Sequence, residues 1–224
     1  MQPPRDIILI IYDLDGVLID STEAIIHAFH SSISKTGITP PPDEELKKLI
    51  GYPLKEIYKM ILPPDRKHEV EDFKQAFRRT FSEVCTLETV LLQGVKETLS
   101  ELNKLGFIQC VATNKHSELA VKILRHLGVM KYFSRVIGAN DVPNPKPAPD
   151  MINKLVSEYS QDPARTVFID DTTIGLQAGR DAGTITVGIT TGYEDRESLE
   201  QFKPDILIDC MAELGKLLLT STSE

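Results

Sequence analysis

From residue 91 to residue 209 the chain alternates short apolar, β-branched runs with amphipathic stretches of helical length. The runs fall at 108–113, 135–138, 166–169, 184–189 and 206–208, and the amphipathic stretches at 95–105, 117–127, 149–159 and 174–182. Strands separated by helices can pair in parallel, and a parallel sheet needs helices on both faces. This order therefore predicts an α/β fold, a Rossmann-like, doubly wound parallel sheet. Glycines at 106, 128 and 183 follow three of the predicted helices, where a left-handed residue often ends a helix. One further apolar run, 7–12, has the composition of a strand of the same sheet.

Between that first strand and residue 91 the pattern changes. Residues 23–36, 43–50, 54–61 and 65–85 carry helical periodicity with charged outer positions, separated by Pro40-Pro41-Pro42 and Pro63-Pro64. The predicted organisation is a core of residues 1–19 and 89–224 with an inserted α-helical cap at 20–88. A length of 224 residues is enough for that arrangement, and 41% apolar with 26% charged residues is ordinary for a soluble enzyme. A formal charge of −8 with interspersed basic residues excludes a nucleic-acid-binding surface as the expected partner site. No apolar run approaches membrane-spanning length, and Met1-Gln-Pro-Pro-Arg-Asp lacks signal-peptide architecture. Cys85, Cys110 and Cys210 are odd in number and widely spaced, which reads as reduced packing residues. A cytoplasmic protein, monomeric or homodimeric, is expected.

The first strand runs directly into Asp13-Leu14-Asp15-Gly16. In doubly wound sheets ligands bind beyond the carboxyl ends of the strands, so both acids are expected at the rim of a site. Residues i and i+2 of an extended segment share a face, and two anions so placed call for a bound cation or a shared proton. An Asp/Gly turn would explain this segment by itself. Three later segments also stand at predicted strand ends. Thr113-Asn114 offers a hydroxyl and an amide to a phosphate, or alternatively an N-cap to the following helix. Asn144-Pro145-Lys146-Pro147 presents Lys146 from a loop stiffened by prolines, suited to charge on a transferring phosphoryl group. Asp170-Asp171 ends another apolar run, and with Asp13 could supply the hard oxygen ligands magnesium requires.

With Asp-Leu-Asp-Gly-Val-Leu-Ile-Asp-Ser at 13–21 and Lys-Pro-Ala-Pro-Asp at 146–150, the chain resembles the haloacid dehalogenase superfamily. It is most similar to the phosphoglycolate phosphatase and β-phosphoglucomutase-like branch with a helical cap. The resemblance implies a magnesium-dependent phosphatase acting on a small phosphomonoester, phosphoglycolate-like, through an aspartyl-phosphate. Asp13 is then the nucleophile, Asp15 the general acid/base, and Thr113 and Lys146 the phosphoryl binders. The metal acids are Asp13, Asp15, Asp170 and Asp171, with Asp171 a ligand and Asp170 acting directly or through water. The family's last motif often carries Gly-Asp and a further acid four residues on; here those positions are Asp170, Asp171 and Gly175.

Mutase relatives carry a cap histidine where this chain has Ile25, and His27 and His30 read as ordinary helix residues. A phosphosugar mutase is the alternative expectation; a pyrophosphatase or phosphonate hydrolase follows, the latter wanting a cap lysine that the sequence does not single out. Asn114, Ser21, Tyr52 and Lys115 are expected to contact substrate, Tyr52 from a Gly51-Tyr-Pro-Leu loop that dips toward the leaving group. Arg78 and Arg79 could recognise a carboxylate or simply form a solvated helix face.

Overall fold

The computed structural model describes residues 8–34 and 38–220. Strand β1 (Leu9–Tyr12) leads through a buried turn to the short β2 (Ile19–Asp20). Helices α1 (Thr22–Ser34), α2 (Asp43–Lys47), α3 (Leu54–Ile61) and α4 (Val70–Val84) form the insert, with a 3-10 turn at Pro64–Glu69 before α4. Strand β3 (Val90–Leu91) returns to pair antiparallel with β2, joining the two chain crossings at the base of the insert. The remaining chain alternates α5 (Val95–Lys104), β4 (Ile108–Thr113), α6 (Ser117–His126), β5 (Arg135–Gly138), α7 (Asp150–Glu158) and β6 (Thr166–Asp170). It ends with α8 (Thr173–Asp181), β7 (Ile185–Ile189), α9 (Arg196–Phe202), β8 (Ile206–Ile208) and α10 (Met211–Thr220).

Six strands form one parallel sheet in the order β5-β4-β1-β6-β7-β8. Strand order reverses beside β1, so its carboxyl end opens onto the crevice where doubly wound sheets bind ligands. Period-two alternation sends Leu9 and Ile11 to one face, against Met151, Ile152 and Leu155 of α7. Ile10 and Tyr12 go to the other, in an apolar cluster with α5, α6 and α10 that continues into the insert through Phe29, Tyr58 and Phe81. The one buried polar residue of β4's interior run, Gln109, is satisfied: it accepts from Tyr12 Oη at 2.9 Å and donates to Leu99 O at 3.0 Å.

The predicted doubly wound sheet is present, and Gly106, Gly128 and Gly183 take φ of +87°, +73° and +74° just past their helices. Several boundaries differ. Ile7 and residues 35–37 lie outside the described residues, so the start of β1 and the end of α1 are seen only from Leu9 and to Ser34. The helix expected at 43–50 stops at Lys47, because the chain turns through 48–52 to bring Gly51, at φ +103°, down onto the sheet. The predicted 65–85 helix opens as the 3-10 turn after Pro63. The β2–β3 ribbon is too short to leave a periodic signal, and α9 and α10 were not anticipated; α9 is capped by Asp195, which accepts Ser198 N–H at 2.8 Å. All three cysteines are free, two of them buried. No described helix is long and apolar enough to cross a membrane.

Candidate active site

Adjacent β1 and β6 run in register, Tyr12 opposite Ile169, and Asp13 N–H donates to Ile169 O at 2.8 Å. The residues that follow, Asp13 on one strand and Asp170-Asp171 on the other, therefore emerge side by side. All three are buried, and each offers an oxygen within 4.8 Å of the others. Lys146 enters from the proline-bounded loop with its ammonium 2.7 Å from Asp13 Oδ1 and 2.8 Å from Asp170 Oδ2. Asp170 Oδ1 accepts from Thr172 N at 2.9 Å and from its hydroxyl at 2.7 Å, while Asp171 Oδ2 accepts from Tyr193 N at 2.8 Å. Asp171 Oδ1 is buried without a hydrogen-bond partner.

Burial raises the Asp13 carboxyl, Lys146 opposes this, and Asp170 and Asp15 add to it, leaving Asp13 at about 7. Asp171 is pushed well above the usual carboxylate range, first by burial and then by Asp170 and Asp13. Lys146 is pulled down by burial, but Asp13 and Asp170 outweigh this and hold it charged. Three buried carboxylates, one with an orphaned oxygen, against a single ammonium fit a divalent cation: hard oxygen donors and a negative surplus are what such an ion requires.

A prediction follows with a defined sign. An acid whose folded pKa lies above its unfolded value near 3.8 stabilises the fold at low pH and loses that contribution as pH rises toward 7. Metal binding must displace the same protons. The rise in Tm produced by millimolar magnesium is therefore expected to be larger at pH 8 than at pH 5.5, read by differential scanning fluorimetry. Equal shifts at the two pH values would exclude these carboxylates as the ligands.

Glycines shape this cluster. A Cβ on Gly16 or Gly192 would lie 2.3 or 1.8 Å from Asp171 Oδ2, and one on Gly175 would lie 1.7 Å from Asp170 Oδ2. No side chain can occupy those points while the carboxylates stay, and Gly16 additionally has φ +79°.

Asp15 departs from the expectation that it joins the metal acids. Its carboxylate is not in the group of three; it accepts from buried Ser21 Oγ and pairs with Lys115 Nζ at 3.0 Å. Ser21, expected at the substrate, instead supports Asp15. Lys115 bridges two parts of the fold, since its ammonium also sits 4.2 Å from the centre of the Phe81 ring on α4. Thr113 Oγ1 accepts Lys115 N–H at 3.2 Å, which leaves its own hydroxyl hydrogen free for the cavity. The Asn114 amide, expected to reach phosphate, is engaged: Nδ2 donates to Gly51 O at 2.9 Å and to Lys146 O at 3.1 Å. It fastens the descending insert loop to the core, and Asn114 also lines the cavity above this floor.

A cavity of about 390 Å³ opens between this floor and the insert. Asp13, Asp15, Thr113, Lys115 and Lys146 line it on the side of the sheet, and Tyr52 lines it from the insert. Arg78 lines it and Arg79 does not, so the two arginines have different surroundings. Ile25 faces the cavity, whereas His27 pairs with Glu88 at 3.0 Å and His30 with Asp43 at 2.6 Å, both outside it. Two insert lysines reach the lining, Lys55 exposed and Lys74 held by Glu71 at 2.8 Å. Sequence reasoning missed Thr172, Gly192 and Tyr193. The last two follow β7, and the strand-end rule that found Asp13 could have pointed to them.

The profile of haloacid dehalogenase-like hydrolases matches residues 10–189. The probable phosphatase IndB of Dickeya dadantii is 30% identical over 209 residues, covering 92% of this chain and 91% of that protein. A phosphoglycolate phosphatase of Vibrio parahaemolyticus is 29% identical, covering 97% and 98%. The crystal structure of a predicted phosphoglycolate phosphatase from Haemophilus somnus superposes with a TM-score of 0.84 at 27% identity, covering 95% of this chain and 98% of that one.

Proposed function

Because the chain belongs to the haloacid dehalogenase-like hydrolase family, we propose that it is a magnesium-dependent phosphatase of small phosphomonoesters. The observation that carries this reading is the division of labour between Asp13 and Asp15. One faces Lys146 within the carboxylate cluster; the other, two residues on, faces the cavity beside Lys115. Similarity to proteins named phosphatase supports it.

Asp13, with Asp170 and Asp171, would hold the magnesium ion, which when bound offsets charge on the phosphoryl oxygens. An Asp13 oxygen attacks phosphorus, a P–O bond forms, and the ester P–O bond breaks to give an aspartyl-phosphate. Asp15 gives its proton to the departing alkoxide, then takes one from a water that attacks the same phosphorus and frees Asp13. Lys146 and the Thr113 hydroxyl bind the phosphoryl oxygens. The helical insert caps the cavity, and Asn114 holds its loop in place, so that water reaches the intermediate only when admitted. A mutase needs a proton-carrying group at the insert face, and Ile25 offers none.

Phosphate release from phosphoglycolate, pyrophosphate and hexose phosphates, with magnesium and with EDTA, tests the proposal. Metal-dependent release from at least one monoester is expected; its absence from every ester sinks the reading. A finer prediction concerns Asp15→Asn. Turnover of alkyl esters should fall about 10²–10⁴-fold, the usual reach of general acid–base catalysis. p-Nitrophenyl phosphate, whose leaving group needs no proton, should still give a burst of one nitrophenolate per enzyme before stalling. A steady rate without a burst would assign the acid/base role elsewhere.

A further inference from the structure

Helix α4 carries Lys74, Phe77, Arg78 and Phe81 at i, i+3, i+4 and i+7, and all four line the cavity. One helical stripe thus combines aromatic and cationic groups and points both at the leaving-group side of the site. Its catalytic end is Phe81, under the Lys115 ammonium that pairs with Asp15. Next stands Phe77, its ring within 6° of parallel to Phe81 at 5.7 Å and 4.8 Å from Phe29. Ile25 and Ile57 add aliphatic surface to the same lining. At a rise of about 1.5 Å per residue, Arg78 and Lys74 lie about 4.5 and 10 Å farther back along the helix than Phe81. Apart from Asp13 and Asp15, no acid among the described residues lines the cavity. Lys74 is held by Glu71, while no carboxylate pairs with Arg78 among the described residues.

From this order we infer that the alcohol leaving group has an apolar, ring-sized body seated against Phe77, and an anionic group at its far end paired with Arg78. The inference rests on the phosphatase reading and specifies its substrate class. A two-carbon alcohol, at about 1.5 Å per bond, ends beside Phe81 and leaves the half-buried Phe77 uncovered. A ring-sized body removes that apolar surface from solvent, and a terminal anion supplies the carboxylate partner that the half-buried Arg78 guanidinium lacks among the described residues.

Four esters of primary alcohols separate recognition from leaving-group reactivity: benzyl phosphate, 4-carboxybenzyl phosphate, 1,4-benzenedimethanol bisphosphate and phosphoglycolate. With magnesium and wild-type enzyme, kcat/KM is expected to be at least tenfold higher for one of the two para-anionic benzyl esters than for benzyl phosphate or phosphoglycolate. Whichever is preferred identifies the anion as carboxylate or phosphate. In Arg78→Ala the ratio of kcat/KM between that ester and benzyl phosphate should fall at least tenfold, chiefly through KM, and Arg78→Lys should retain part of it. Phosphoglycolate turned over as well as the para-anionic esters overturns the inference and leaves the phosphatase standing. An unchanged ratio in Arg78→Ala also overturns it. No phosphate from any of the four, nor from the panel above, fails the phosphatase reading itself.

Discussion

Asp13→Asn is expected to lower phosphate release by about 10⁴-fold or more, the range seen when a covalent nucleophile is removed. The amide has the shape of the carboxylate but neither its charge nor its nucleophilicity, so the aspartyl-phosphate cannot form. The same substitution removes one of three buried carboxylates whose mutual repulsion and burial raise the Asp13 pKa to about 7. In metal-free protein at pH 8, where the fold must hold that charge, the variant is therefore expected to melt at a higher temperature than wild type. Loss of activity with a raised Tm is the signature of a strained catalytic group. A lowered Tm would indicate that the ion pair with Lys146 outweighs the repulsion among the carboxylates, and retained activity would place the nucleophile elsewhere.

The second large effect concerns where one carboxylate originates. Asp170 projects its carboxylate from the end of β6 into the space that a side chain at position 175 of α8 would occupy, 1.7 Å from an ideal Cβ there. Gly175→Asp alone would force two carboxylates into one place. Asp170→Gly alone removes the partner of Lys146 and the acceptor of the Thr172 N–H and hydroxyl. Each single change is expected to reduce turnover on the order of 10²–10³-fold, as loss of one preorganised electrostatic group does. The double variant Asp170→Gly/Gly175→Asp returns one carboxylate to that space from the helix side. It should recover at least tenfold over Asp170→Gly in both turnover and the magnesium-induced Tm shift. A double variant no better than the worse single one would show that the carboxylate must arise from β6.

The site was partly legible because its chemistry sits on regular elements. Asp13, Asp170 and Asp171 stand where apolar runs stop, and a parallel sheet brings the carboxyl ends of neighbouring strands together. Lys146 was legible through its prolines. The partners of other residues were not legible, since a side chain's partner depends on what lies across the fold. Asn114 lines the cavity, while its amide hydrogens go to the carbonyls of Gly51 and Lys146, two partners far away in the chain. Ser21 was a plausible substrate contact until the turn at Gly16 brought it under Asp15. Arg78 and Arg79 are adjacent in sequence but about 100° apart around α4, so only the packing of that helix decides which lines the cavity.

The sequence by itself determined the parallel sheet, the helical insert and the strand-end position of the acids. These follow from local periodicity and composition, which every segment carries within itself. Only the tertiary structure decided that Asp15 pairs with Lys115 apart from the three clustered carboxylates, and that Gly16, Gly175 and Gly192 make room for them. It likewise decided that an aromatic and cationic stripe of α4 lines the cavity. Those facts depend on contacts between segments far apart in the chain, set when the insert packs against the sheet, and no local pattern encodes them.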